Sequence, residues 1–238
     1  MRRCAVPEPV HAEDLVFKAA ADRSARMVSW NAYQSMVAEL AAQIRAQDLV
    51  LAALIGVFQG GWIVAQSLAD FLPGVPVLGA TARTVNGGQA VGLELFAAED
   101  GLLTPARLPA GSPVLLVDEV VDSGRTARFY LQQLAAQGLV PQMACLQAAA
   151  EADPAPAFTA RRTEALPALV LPWRVLRDAD QTVACLLAAG PLTTDELDER
   201  LRDLGHDIDP DLLQTRLEEL AATGRIALMG TCWQRSHH

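Results

Sequence analysis

The chain has 238 residues, enough for one domain with a sizeable hydrophobic core and a smaller extension. Its formal net charge is -9, and this acidity argues against general affinity for nucleic-acid backbones or anionic membranes. The four cysteines are scattered, without a Cys-x-x-Cys pair or nearby paired histidines, so we expect reduced thiols in a cytoplasmic protein.

The first 25 residues are interpreted as an N-terminal segment without an export signal, because proline and acids stand where a signal peptide needs an apolar run. Periodic apolar positions then predict a helix over 27–46, with Ser29 as its N-cap. Residues 49–69 carry no charge, which a hydropathy scan would flag as a membrane span. The Gln-Gly-Gly at 59–61 instead favours a buried strand at 49–57, a loop and a helix to about Leu72.

A strand at 75–80 completes a βαβ unit, and the glycine-rich residues 81–110 predict a hairpin and a mobile loop. A strand at 113–120, a helix at 123–137 and a strand at 143–148 continue the parallel-sheet pattern. Residues 149–167 are interpreted as a loop or flap before a short apolar run at 168–175. The expected architecture is therefore α/β, a Rossmann-like parallel sheet.

After Arg177 the composition becomes acidic: twelve acids and five arginines from Asp178 onward give -7. Helices are predicted at 181–189, 194–204 and 210–223, followed by a strand at 225–229. We interpret residues 178–234 as a small helical domain resembling a winged helix, and residues 235–238 as the remnant of a purification tag. The apolar positions of residues 178–234 form either the core of this small domain or a docking surface for a partner protein.

The stretch at 114–126, VLLVDEVVDSGRT, runs from a buried strand into three acids and a small polar turn. Open α/β sheets bind ligands at the carboxyl ends of their strands. The turn at 122–126 opens a helix, and its glycine, hydroxyls and free N–H groups suit a phosphate. Asp118 and Glu119 can accept hydrogen bonds from vicinal hydroxyls, directly or through hydrated Mg²⁺. Together these features indicate a ribose 5-phosphate site.

The stretch resembles the phosphoribosyl diphosphate (PRPP) motif of the type I phosphoribosyltransferases. Segments at 28–30, 53–61 and 169–173 are also similar to bacterial and archaeal xanthine and hypoxanthine members, so the likeness covers residues 26–177. It implies a purine salvage enzyme, a glycosyltransferase that moves ribose 5-phosphate from PRPP to a nitrogenous base and releases pyrophosphate. It further implies the type I phosphoribosyltransferase fold, Mg²⁺ as the cofactor and a homo-oligomer, most simply a dimer.

The resemblance gives each part of the motif a role. Asp118 and Glu119 become the ribose-hydroxyl pair and metal ligands, and Asp122 faces the base nitrogen as a proton acceptor, or else only caps the helix. The phosphate loop comprises Ser123, Gly124, Arg125 and Thr126. The pyrophosphate loop comprises Phe58, Gln59, Gly60 and Gly61. Relatives often place a cation in that loop where this chain has Gln59, and on local grounds the two glycines fit an ordinary turn equally well.

The base pocket departs further from the resemblance. Its expected residues are Leu169, Val170 and Trp173, and Ala168 stands where relatives stack a tryptophan on the purine. No lysine lies near 147–149 to read a purine carbonyl, and Trp173 is equally consistent with a core position. The alternative function is a non-catalytic sensor of PRPP or a nucleoside 5′-monophosphate whose tail contacts a protein or DNA. DNA contact is disfavoured by the tail's charge.

Overall fold

The computed structural model describes residues 25–84, 90–99, 102–164, 166, 168–203, 206 and 208–236. The chain divides into two compact units: Gln34–Leu166, and the described residues on either side of it. The predicted turn at 86–88 and Gly101 lie outside the described residues.

A seven-stranded mixed sheet forms the core of the unit Gln34–Leu166. Its strands are β2 (Ala53–Val57), β3 (Val77–Thr84), β4 (Ala90–Glu99), β5 (Leu102–Pro105), β6 (Pro113–Val121), β7 (Val140–Ala149) and β8 (Phe158–Thr163). They lie in the order β5-β4-β3-β2-β6-β7-β8. The five strands β3, β2, β6, β7 and β8 are parallel to one another, and β4 pairs antiparallel with both β3 and β5. The α/β class and the parallel sheet are confirmed.

Helices α1 (Trp30–Arg45), α2 (Gly60–Ala69) and α3 (Arg125–Ala136) accompany this sheet. Ser29 Oγ accepts the N–H of Ala32 at 3.2 Å, so Ser29 caps α1 as predicted. β2 is buried along its whole length, which explains its continuous apolar sequence, since a strand covered on both faces has no solvent-exposed side. The uncharged segment 49–69 is thus split into a strand, a loop and a ten-residue helix. Of the helices described, none combines the length and apolar character needed to cross a bilayer.

Two interpretations of connecting segments are wrong. Residues 149–167 are not simply a loop or flap, because they contain the edge strand β8. Its sequence, FTARRT, carries two exposed arginines, as edge strands commonly do, and this weakens the apolar signal. Residues 81–110 hold two further strands, so β4 and β5 replace much of the expected mobile loop.

The second unit contains the parallel pair β1 (Ala25–Met27) and β9 (Ala168–Val170), and a carboxyl-terminal helical part. That part comprises α4 (Val175–Ala188), α5 (Thr194–Asp203), α6 (Pro210–Ala222), β10 (Ile226–Met229) and β11 (Cys232–Arg235). Its helices and hairpin bury a shared apolar core that includes Leu197, Leu217 and Trp233. These leucines therefore form the tail's own core, the simpler of the two interpretations.

The tail helices begin where capping signals stand. Asp209 Oδ1 accepts the N–H groups of Asp211 and Leu212 at 3.1 and 3.2 Å, with Pro210 at the first helical position. The first tail helix starts at Val175 rather than at Gln181, so the division expected at residue 177 falls inside α4. Strand β11, which the sequence did not predict, extends to Arg235. The likeness of this part to a winged helix stays a prediction.

Candidate active site

The acids of the motif lie at the carboxyl end of β6, between β2 and β7. Asp118 is the register partner of Cys145 in β7, and Val117 that of Gly56 in β2. The Asp118 and Glu119 side chains are half-buried, and Asp118 Oδ1 accepts the Glu119 N–H at 2.9 Å. Two carboxylates therefore stand at the carboxyl end of the middle one of the five parallel strands, where open α/β sheets bind ligands.

The turn at 122–126 joins β6 to α3 with its backbone in a special conformation. Gly124 has φ +80°, in the left-handed region that favours glycine, and it occupies the N-cap position of α3 without a side-chain cap. Gly124, and not Asp122, thus occupies the N-cap position of this helix. A cavity of about 240 Å³ opens here, lined by Asp118, Val120 and the residues 121–127. A helix N-terminus facing a small polar cavity suits an anion.

The predicted pyrophosphate loop lies directly against these acids. A Cβ added at Gly60 would come within 2.1 Å of Glu119 Oε1, and one at Gly61 within 2.3 Å of the Val117 carbonyl oxygen. Gly61 therefore requires glycine, because its neighbour is the backbone of β6, whereas Gly60 lies against the movable end of the Glu119 side chain. The peptide bond between Phe58 and Gln59 is cis. The contact brings the loop and the two carboxylates into one site.

The Phe58 ring anchors the same loop to the sheet. It packs 5.3 Å from the Trp62 ring and 6.4 Å from the Phe96 ring, measured between centroids. A Cβ at Gly79 in β3 would lie 2.3 Å from the Phe58 ring, so the ring lies directly on the strand. Gln59, in contrast, is exposed. In this loop the aromatic side chain holds the backbone against the sheet.

Two buried groups behind the site are held neutral. The pKa of the Cys145 thiol is raised to about 12, chiefly by burial; its hydrogen bond with Thr159 opposes this shift, and the negative charge of Asp118 adds to it. Burial also raises the pKa of Tyr130, opposed by a backbone hydrogen bond at Ala82 and again reinforced by Asp118. Neither side chain is ionised near neutral pH, so both are parts of the scaffold.

The sequence did not predict that the turn after β7 touches the turn at 122–126, the phosphate turn. A Cβ at Gly124 would lie 2.1 Å from the Asp153 carbonyl oxygen, so the turn after β7 packs on the start of α3. Arg128 in α3 reaches the same carbonyl at 2.9 Å. The only local signal was the Asp-Pro pair at 153–154, which indicates a turn but not its neighbour.

The residues predicted for the base pocket belong to the other compact unit. Val170 is buried and is the register partner of Met27, and Leu169 is half-buried. Trp173 packs with its ring centroid 4.9 Å from that of Tyr33 and 6.2 Å from that of Trp30. Trp173 is thus a half-buried member of an aromatic cluster, and both its core position and its role toward a base stay predictions.

Residues 29–156, more than half of the chain, match the family model described as the phosphoribosyl transferase domain. The chain belongs to this phosphoribosyl transferase domain family. Membership supports PRPP-dependent transfer, and with the sheet order above it confirms the type I phosphoribosyltransferase fold. The two predicted phosphate loops and all three acids of the motif lie inside the matched range.

Solved structures share this phosphoribosyltransferase fold at low identity. Purine phosphoribosyltransferase from Pyrococcus horikoshii is 22% identical, with a TM-score of 0.50 over 63% of this chain and 94% of that one. Helicobacter pylori xanthine-guanine-hypoxanthine phosphoribosyltransferase is 19% identical, with a TM-score of 0.48 over 66% and 99%. A Neisseria gonorrhoeae hypothetical protein with bound ppGpp is 21% identical, with a TM-score of 0.49 over 68% and 95%. No curated protein matches.

Proposed function

We propose that the chain binds PRPP and transfers its ribose 5-phosphate to a purine-type base, with release of pyrophosphate. The observation that carries this proposal is the cavity lined by 118 and 120–127, at the carboxyl end of β6 and the start of α3. The family match supports the same chemistry. A cavity of about 240 Å³ has room for the ribose 5-phosphate part of PRPP.

The 5′-phosphate binds to Ser123, Gly124, Arg125 and Thr126 in this proposal. The backbone N–H groups of the first turn of α3 have no side-chain cap, so an anion can accept hydrogen bonds from them. The side chains of Ser123, Arg125 and Thr126 are exposed, which leaves two hydroxyls and a guanidinium for the phosphate oxygens.

The three carboxylates of the motif act on the sugar and on the attacking base. Asp118 and Glu119 accept hydrogen bonds from the ribose hydroxyls and stabilise the positive charge that develops at the anomeric carbon as pyrophosphate leaves. Asp122, exposed at the rim of the same cavity, accepts the proton of the attacking base nitrogen. The nitrogen–carbon bond forms as the carbon–oxygen bond to pyrophosphate breaks, and the electron pair leaves with the diphosphate.

Mg²⁺ fits this site as an ion that the diphosphate brings with it. Among the residues that the structure describes, no group of three or more His, Cys, Asp or Glu can hold a metal, so the protein alone does not build a complete cage. Mg²⁺ commonly binds through one or two carboxylates together with substrate phosphates, and Asp118 and Glu119 supply two. Bound there, the ion would neutralise charge on the leaving group.

Gly60 provides a local test of the pyrophosphate loop. Changing Gly60 to Ala is expected to weaken binding of diphosphate about tenfold, because the new methyl group displaces the Glu119 carboxylate, a flexible side-chain end, while the fold survives. Isothermal titration with Mg²⁺-diphosphate measures the affinity, and circular dichroism checks the fold. Unaltered affinity would show that Glu119 and this loop do not share a ligand.

The transfer itself is tested by incubating the chain with PRPP, Mg²⁺ and a panel of purine and pyrimidine bases while pyrophosphate release is followed. Release that depends on one purine supports the proposal and identifies the base. Binding of PRPP without release for any base would exclude catalysis. In that case Leu169, Val170 and Trp173 would not be a base pocket. Gel filtration in parallel tests the proposed homodimer.

A sensor of PRPP or of a nucleoside 5′-monophosphate is the second candidate, favoured by Gln59. This exposed, uncharged residue gives the pyrophosphate loop no fixed positive charge, so product-like nucleotides can bind in the phosphate turn while PRPP chemistry is slow. The tail, resembling a winged helix, would then contact a partner. Tight nucleotide binding without turnover distinguishes this candidate from the enzyme.

We expect the chain not to bind random duplex DNA at physiological salt. Residues 178–238 carry a net charge of -7. The one basic residue of α6, Arg216, already forms hydrogen bonds with Asp180 at 2.8 and 2.6 Å and pairs with Glu219. With few cations to displace counterions, nonspecific affinity is low. A gel-shift titration checks this, and a shift at about micromolar chain would favour a DNA-binding regulator.

A further inference from the structure

The turn at 150–156, which follows β7, makes direct backbone contact with the phosphate turn. The clearest sign is Gly124, whose hypothetical Cβ would lie 2.1 Å from the carbonyl oxygen and 2.4 Å from the carbonyl carbon of Asp153. Ala152 is buried in the same apolar cluster as Ala127 of α3. The two segments therefore meet both through backbone and through core side chains.

Arg128 joins these segments from within α3. Its backbone N–H donates to the Gly124 carbonyl at 2.8 Å. Its Nη2 donates to the Asp153 carbonyl oxygen at 2.9 Å and to Asp153 Oδ2 at 2.5 Å. Arg128 is thus bonded to both sides of the contact, and the Asp153 carbonyl lies between the guanidinium and the Gly124 backbone.

The two side-chain bonds of Arg128 differ in expected strength. The ion pair with the Asp153 carboxylate is solvent-exposed, with 46% and 82% of the side chains accessible, so it contributes little. The bond to the Asp153 carbonyl is exposed as well, but its acceptor is backbone that lies against Gly124, so this bond links the turn directly to the start of α3.

We propose that Arg128 is a positioning residue that holds the phosphate turn in its binding conformation through the backbone carbonyl of Asp153. The inference rests on the proposed function, because it assigns this effect to the 5′-phosphate site. Displacement of the turn would misalign the N–H groups at Gly124 and Arg125 on which phosphate binding depends. The pyrophosphate loop at 58–61 has no bond to Arg128 among those described and should be unaffected.

The test compares ribose 5-phosphate with inorganic diphosphate as ligands for the full chain, by isothermal titration. Arg128→Met should weaken ribose 5-phosphate binding about tenfold, the usual effect of losing one charge-assisted hydrogen bond. The affinity for Mg²⁺-diphosphate should not change. Global destabilisation would weaken both ligands, so this difference separates local positioning from a general effect on the fold.

Two further variants identify the bond responsible. Asp153→Asn removes the ion pair but keeps the backbone carbonyl, so its ribose 5-phosphate affinity should stay at the wild-type value. Arg128→Lys keeps the charge and a donor nitrogen, so it should recover most of the ribose 5-phosphate affinity that Arg128→Met loses. Arg161→Met is the matched control: Arg161 also bonds a carboxylate, that of Glu39 at 2.5 Å, and a backbone carbonyl, that of Ala160 at 2.7 Å, and should leave both affinities unchanged.

The proposal is overturned if Arg128→Met binds ribose 5-phosphate like wild type, or if Asp153→Asn loses as much affinity as Arg128→Met. It is also overturned if the loss in Arg128→Met disappears at about 0.5 M salt, since that would make it a screened charge effect. If the wild-type chain binds diphosphate but no ribose 5-phosphate, the proposed function fails instead, independently of any Arg128 variant.

Discussion

Replacing Asp118 with Asn and Glu119 with Gln together is expected to lower PRPP-dependent transfer by about a thousandfold or more, since each loss of preorganised charge costs roughly 10² to 10³ in rate. Both side chains are half-buried at the end of β6, and the amides that replace them keep their size but not their charge. The fold should survive, because neither carboxylate belongs to the apolar core. Pyrophosphate release measures the rate, and calorimetric titration measures PRPP affinity.

The matched control removes two carboxylates of the same unit that lie on its surface. Asp48→Asn with Asp70→Asn makes the same change in net charge at exposed positions outside the cavity. Its transfer rate should equal that of wild type. If the Asp118 and Glu119 double variant also turned over at the wild-type rate, neither acid would act at the ribose, and the proposed mechanism would be wrong.

The central part of the fold was predictable because its signals are local. β2 and the first half of β6, 114–117, are continuous apolar runs, and each strand is followed by a glycine-containing turn and a helix. Such a pattern indicates buried parallel strands and their crossovers without reference to distant residues. The edge strand β8 was missed because an edge strand satisfies only one row of backbone groups and can carry Arg161 and Arg162.

The site was predictable in its parts but not in its arrangement. The residues at 118–126 carry both the acids and the phosphate turn in one short stretch, so their proximity follows from the chain itself. The contact of Gly60 with Glu119 joins the start of α2 to β6, and that of Gly124 with Asp153 joins residues 29 positions apart. Contacts of this kind depend on strand order and register, which no local pattern specifies.

Changing Gly124 to Ala is expected to reduce ribose 5-phosphate affinity by about a hundredfold, because a displacement of roughly 1 Å in a binding site can have an effect of that size. Two causes combine at this position. The backbone has φ +80°, which a side chain disfavours, and the new methyl group would lie 2.1 Å from the Asp153 carbonyl oxygen. That oxygen is backbone rather than the end of a flexible side chain, so the turn itself must move.

Gly111 separates these two causes, because its φ of +82° is nearly the same and no atom lies within 4 Å of its hypothetical Cβ. Gly111→Ala should lose about 1–2 kcal/mol of stability through backbone strain alone and keep wild-type affinity. Thermal unfolding measures the first quantity and titration with ribose 5-phosphate the second. If both variants lost stability equally and neither lost affinity, the phosphate would not bind at the start of α3. A loss confined to Gly124→Ala would instead indicate that the packing of Asp153 on this turn determines the conformation that the phosphate requires.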